Sequence, residues 1–156
     1  SRALIVTGVQ HSNAKQLKHL RLPEHDRDLI VTFHNYAPYR FTHQGVNRPG
    51  HPPNPKGVNW GSEEDRRQTT ALMAVAAEFG RTRNRPVWLG EFGTFHKVPQ
   101  ALRVSWAEHV REEAEKHGIP WAYWSFCSKK FGLYDQEKGT WRRELLDALI
   151  PRRERD

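Results

Sequence analysis

The residue best placed to do chemistry in this chain is a carboxylate, Glu91, at the end of the short apolar run Val87-Trp88-Leu89-Gly90-Glu91-Phe92-Gly93. An ionised carboxylate held beside an anomeric carbon can attack it and form a covalent glycosyl intermediate. Two other strand-like runs end in suitable partners, one in His34-Asn35-Tyr36 and the other in Trp121-Ala122-Tyr123-Trp124. Tyr36 and His34 could hydrogen-bond the carboxylate and a sugar hydroxyl, fixing Glu91 and favouring its charged form. Trp124 offers the flat apolar face on which a pyranose ring can lie. Acid-base cleavage of a glycosidic bond normally uses two carboxyl groups flanking it, and no second carboxylate occupies a matching strand end. On residue type alone Glu91 could also cap a strand or pair with an arginine, and His34 with Tyr36 could be a satisfied buried pair.

The elements that must position these side chains follow from periodicity. Ala3 to Thr7 reads as a strand, and Ser12 or Asn13 caps a short helix through Leu20 that Pro23 ends. Leu29 to Phe33 is a second strand. Ser62 followed by Glu63, Glu64 and Asp65 opens a helix expected to stop near Phe79 at Gly80. Val87 to Gly90 is the third strand. Leu102, Trp106, Val110 and Ala114 mark one face of a helix from about Gln100 to His117, stopped by Gly118 and Pro120. Trp121 to Ser125 is the fourth strand, and Thr140 caps a last helix from Trp141 to Ile150, closed by Pro151.

Composition narrows the alternatives. The 156 residues suit one domain, 37% of them are hydrophobic, and no apolar run reaches membrane-spanning length. The net charge of +7 could signal nucleic acid, but the arginines are scattered among acids and the aromatics cluster at strand ends, so no nucleic-acid partner and no membrane partner is expected. The lone Cys127 excludes an intrachain disulfide framework. The opening residues lead directly into a strand-like run, so no secretory leader is expected within them. The long segment from Ala37 to Gly61 carries Tyr39, Phe41, His43, His51 and Trp60, and a connection of this length reads as a functional loop. A cleft wall is expected there, with Tyr39, His43 and Trp60 as sugar contacts. His34, His43 and His51 match no common zinc spacing, so no metal and no cofactor are expected. Trp88, Trp106 and Trp141 read as ordinary core, and Trp121 should face away from Trp124 toward the helices.

Four βα units with continuously apolar strands call for a parallel sheet covered by helices. A doubly wound sheet would usually place a glycine-rich phosphate loop after its first strand, where this chain has Gly8-Val9-Gln10-His11-Ser12-Asn13. A (β/α)8 barrel instead gathers reactive residues at the C-terminal ends of several strands, as His34, Glu91 and Trp124 would be. The expected fold is α/β, a (βα)4 half of a TIM (β/α)8 barrel, forming one domain over residues 1–156.

At this point the motifs resemble the C-terminal half of a glycoside hydrolase family 5 catalytic domain of the cellulase type. His34-Asn35-Tyr36 with Pro38 is similar to the family pattern after the sixth strand, and Phe41-Thr42-His43-Gln44-Gly45 to the loop beyond it. Glu91 in Gly90-Glu91-Phe92-Gly93 matches the nucleophile on the seventh strand. Trp124 matches the sugar-stacking tryptophan on the eighth, and Phe131-Gly132-Leu133-Tyr134-Asp135 resembles the segment that follows. The resemblance implies a retaining endo-β-1,4-glucanase acting on β-glucan or a related polysaccharide, with secretion expected. Its Asn-Glu-Pro motif, which carries the general acid/base, belongs to the first four strands and has no counterpart here, so a weakly active or inactive chain, or a non-catalytic carbohydrate-binding half-barrel, is also implied.

Half a barrel leaves unpaired edges at Ala3–Thr7 and Trp121–Ser125 and exposes the inward face of every strand. Completion by a second copy in a homodimer, or by a missing N-terminal half-barrel, would satisfy both.

Overall fold

The computed structural model describes residues 2–47, 49–50 and 52–151. In chain order the elements are β1 (Leu4–Thr7), a one-turn α1 (Val9–Ser12), a 3-10 helix (Ala14–His19), β2 (Leu29–Asn35), a one-turn α2 (Tyr39–Thr42), α3 (Glu63–Arg83), β3 (Val87–Phe92), α4 (Gln100–Lys116), β4 (Trp121–Tyr123), a hairpin of β5 (Tyr134–Asp135) and β6 (Thr140–Trp141), and α5 (Arg143–Leu149). Strands β1 to β4 form one sheet in that order, each pair parallel. This is the expected half of a (β/α)8 barrel.

One face of the sheet makes the core. Val31 and Phe33 of β2 and Val87, Leu89 and Phe92 of β3 are buried in one cluster with Met73 and Ala76 of α3 and Trp106, Val110 and Ala114 of α4. Strand alternation turns Ile5, Ile30 and Trp88 to the other face. That face is open, with Ile5 53% exposed. Trp88 is therefore half-buried on the open face rather than a core residue, because it alternates with Val87 and Leu89.

Local chemistry explains most boundaries. The Ser62 side chain accepts from the Asp65 N–H while the Asp65 carboxylate accepts from the Ser62 N–H, a reciprocal capping box that starts α3. The expected stop at Gly80 does not occur, and α3 continues to a left-handed cap at Asn84 (φ 49°, ψ 56°). Gly80 serves packing instead: a Cβ there would lie 2.7 Å from Val87 Cγ2 and 3.0 Å from the Arg85 carbonyl oxygen. Asn13 does cap the segment after β1 through Lys15 N–H, but that segment winds as a 3-10 helix. Thr140 is not a cap. It pairs with Asp135 in the β5–β6 hairpin, and the last helix begins at Arg143. Trp141 consequently leaves the core for a partly exposed cluster with Phe126 and Tyr134.

Candidate active site

Glu91 reaches its position through a β-bulge. β2 and β3 are paired Phe33 to Leu89 and then His34 to Glu91, so Gly90 is an extra residue in the ladder. The extra residue places Glu91 on the same face as His34, whereas uninterrupted alternation would send it into the core with Leu89. Glycine is required there because a Cβ would fall 2.3 Å from Thr32 Oγ1. Gly93 has a parallel role at the next strand. A Cβ on it would lie 2.2 Å from the Trp124 carbonyl oxygen, and Trp124 N–H donates to the Phe92 carbonyl at 2.8 Å.

Around the carboxylate the geometry is specific. Tyr36 Oη donates to Glu91 Oε2 at 2.8 Å, and His34 Nδ1 lies 3.5 Å from the same oxygen. The side chains of His34 and Glu91 are 23% and 28% exposed, so the carboxylate is reachable yet partly desolvated. Burial pushes the His34 imidazolium to deprotonate below its ordinary value, and the attraction of Glu91 offsets only part of this. The contact is therefore between a neutral imidazole and a carboxylate rather than a fixed ion pair. Burial first, and then the hydrogen bond and charge of Glu91, push the Tyr36 phenol upward, so it stays a proton donor.

A second layer holds Tyr36. Thr42 Oγ1 donates to the Tyr36 carbonyl at 2.7 Å and contacts His43 Nδ1 at 2.9 Å. The His43 ring stacks on Tyr39 with centroids 4.1 Å apart and meets Tyr36 edge-on at 5.2 Å. Phe131, from the loop after β4, packs against both Tyr36 and His43. That loop is fastened from behind by Arg103 of α4, buried, with Nε donating to Thr94 Oγ1 at 3.1 Å and Nη2 to the Phe131 carbonyl at 3.4 Å. Thr42 and Arg103 were not candidates on sequence grounds. Arg103 follows Leu102 on the apolar stripe of a helix, and nothing local distinguishes it from a solvated arginine.

The structure brings His34, Tyr36 and Glu91 into contact at the C-terminal ends of β2 and β3, with Trp124 just past the end of β4 and 46% exposed. Tyr39 is also exposed, over the buried His43. His43 thus sits under the surface as a support, and Tyr39 above it presents the accessible ring. Trp60 does not line a cleft. It is 5% exposed, packed on Phe41 and His109 with the Arg66 guanidinium 5.0 Å above its ring. The long loop folds back over α3 and α4, held by Gln44, whose amide both donates to the Val58 carbonyl and accepts from the Val58 N–H. The ring's apolar area favours this burial, while its buried Nε1–H has no partner among the described residues, which offsets part of the gain. His51 lies outside the described residues, and among those described no three His, Cys, Asp or Glu side chains converge as a metal set.

The sequence matches the profile of the cellulase family, glycosyl hydrolase family 5, over residues 1–130. The chain belongs to this family. Endoglucanase H of Acetivibrio thermocellus is 26% identical over 155 residues, which cover 96% of this chain and 16% of that protein. A solved hyperthermophilic endo-β-1,4-glucanase in complex with substrate superposes with a TM-score of 0.90 at 36% identity, covering 97% of this chain and 48% of its own. Thermotoga maritima Cel5A, solved with cellobiose, superposes with a TM-score of 0.89 at 34% identity, covering 95% and 48%. This family 5 chain thus spans about half the length of its solved relatives, and its four strands are half of their barrel.

Proposed function

We propose that this family 5 chain is the nucleophile-bearing half of a retaining β-1,4-glucan hydrolase. The observation that carries the reading is Glu91, oriented by a 2.8 Å hydrogen bond from Tyr36 at the strand ends where an exposed Trp124 can take a sugar ring. In the first step a Glu91 carboxylate oxygen attacks the anomeric carbon, and the glycosidic C–O bond breaks with its electron pair leaving on the aglycone oxygen. The Tyr36 hydroxyl holds the attacking carboxylate in one rotamer, and neutral His34 is free to donate to a sugar hydroxyl.

Protonation of an ordinary leaving group requires a second carboxyl about 5 Å away, which a complementary (βα)4 half would supply while covering the open face. Two copies of this chain on a two-fold axis would also pair the edges of β1 and β4. Such a dimer would set one Glu91 four strands from the other, and it would bury more than about 2,000 Å² as an obligate interface does. The solved relatives, at about twice this length, favour a complementary half over a second copy.

The test removes the need for the acid. A 2-deoxy-2-fluoro cellobioside with a dinitrophenolate leaving group departs without protonation, so the nucleophile can be titrated by itself. Incubation should add one glycosyl unit to the peptide containing Glu91 by mass spectrometry, and Glu91→Gln should abolish the adduct. An adduct elsewhere, or one that persists in Glu91→Gln, would remove this residue from the mechanism. Binding of cello-oligosaccharides with no adduct would instead support a non-catalytic carbohydrate-binding half-barrel.

A further inference from the structure

At the opposite end of the sheet, a cavity of about 390 Å³ is lined by Arg21, Glu24, Arg27, Phe79, Arg83 and Arg85 among others. Arg27 and Arg85 immediately precede the region where β2 and β3 begin, whereas Glu91 stands at their far ends. With seven residues in β2 at about 3.3 Å each, the two sites are roughly 20 Å apart. The cavity therefore lies outside the path a polysaccharide would take past Glu91 and Trp124.

Its charge is unbalanced. Four arginines and one glutamate contribute to its lining, and the arginines that form ion pairs among the described residues are others: Arg67, Arg81, Arg111 and Arg142. Arg85 is only 7% exposed. Its Nη2 donates to the carbonyls of Pro23 at 2.7 Å and Glu24 at 3.3 Å, its Nη1 donates to Asn84 at 3.3 Å, and its buried Nε has no partner among the described residues. Arg21 donates to the Lys18 carbonyl at 3.1 Å, while Arg27 and Arg83 make no side-chain hydrogen bond or ion pair among the described residues. A buried guanidinium surrounded by other cations and carbonyl dipoles lacks the countercharge that normally accompanies it.

The C-terminal end of α3 points its negative pole toward the same region. Its last carbonyls are already occupied, since Gly80 accepts from the Arg85 N–H at 2.9 Å and Arg81 from the Asn84 N–H at 3.4 Å. The guanidiniums thus dominate. Their planar forks match tetrahedral oxyanions through paired, charge-assisted hydrogen bonds. We propose that this cavity binds a small phosphate-class oxyanion, either inorganic phosphate or the phosphate group of a small monoester. The proposal stands independently of the hydrolase reading, because it uses no residue of the Glu91 site.

Titration calorimetry of the purified protein with inorganic phosphate, at ionic strength held constant with chloride, tests it. Saturable one-to-one binding is expected. The double substitution Arg27→Gln with Arg83→Gln changes only exposed side chains and should weaken binding about ten-fold or more. Glu24→Gln should tighten it several-fold by removing the opposing charge. A hexose phosphate binding more tightly than phosphate would identify a monoester as the ligand, and equal affinity would identify the oxyanion alone. Unchanged affinity in the double variant, or thermal stabilisation by phosphate that chloride reproduces at equal ionic strength, would overturn the proposal.

Discussion

Gly90→Ala is the substitution that most directly probes how the fold positions Glu91. The new Cβ would lie 2.3 Å from Thr32 Oγ1, well inside the 3.0 Å that real Cβ contacts respect. Thr32 cannot move aside freely: it is buried on the central strand β2, and its β-branched side chain is stiff at χ1. Overpacking of this kind costs about 1–3 kcal/mol. At about 2–4 °C per kcal/mol for a domain near this size, melting should fall by roughly 2–12 °C. Differential scanning calorimetry at fixed protein concentration measures the shift. A double-mutant cycle with Thr32→Ala then identifies the cause, because removing Oγ1 leaves room for the new methyl. The pair should be less destabilised than the sum of the singles by about 1 kcal/mol or more. A Gly90→Ala protein within about 0.5 kcal/mol of the parent, or strictly additive singles, would refute the claim that close approach at the bulge fixes glycine there.

Three further outcomes are expected. Trp60→Ala should cost about 3–5 kcal/mol in unfolding by chemical denaturation, as a large core truncation does, while leaving cello-oligosaccharide affinity per folded molecule unchanged; a specific loss of sugar binding would return Trp60 to the cleft. His34 and His96 are both held below their ordinary value of 6.5, so the unfolded chain takes up protons that the folded chain resists, and stability should fall as pH drops below about 6.5 toward the folded values; His34→Asn should flatten part of that slope in melts between pH 8 and 5, and an unaltered slope would contradict the neutral imidazole. Tyr36→Phe removes a hydrogen bond to a charged acceptor worth about 1.5–3 kcal/mol, so it should slow trapping at Glu91 by ten-fold or more while cellobiose binding holds, and an unchanged trapping rate would show that Glu91 needs no such orientation.

The sequence by itself determined the order of the four main strands with the long helices between them, and marked Glu91 as the candidate reacting group. The alternation of apolar strands with capped amphipathic helices is written in short-range patterns, and the capping box at Ser62 and Asp65 is complete within four residues. Glu91, Tyr36 and His34 were legible as candidates because each lies at the C-terminal end of a strand, and a parallel barrel gathers those ends on one rim. Only the tertiary structure decided matters that depend on what lies across the sheet. Gly80 reads as a helix stop, yet it is small because Val87 and the Arg85 carbonyl approach it from the next strand. Trp60 reads as a cleft residue in a long loop, yet the loop folds back and buries it against Phe41 and His109. The bulge at Gly90 that rotates Glu91 out of the core is a property of pairing between β2 and β3, and the arginine-lined cavity joins residues about sixty positions apart. Periodicity encodes which face a residue takes within its own element. Which neighbour that face meets is set by packing between elements distant in the chain, and no local pattern carries it.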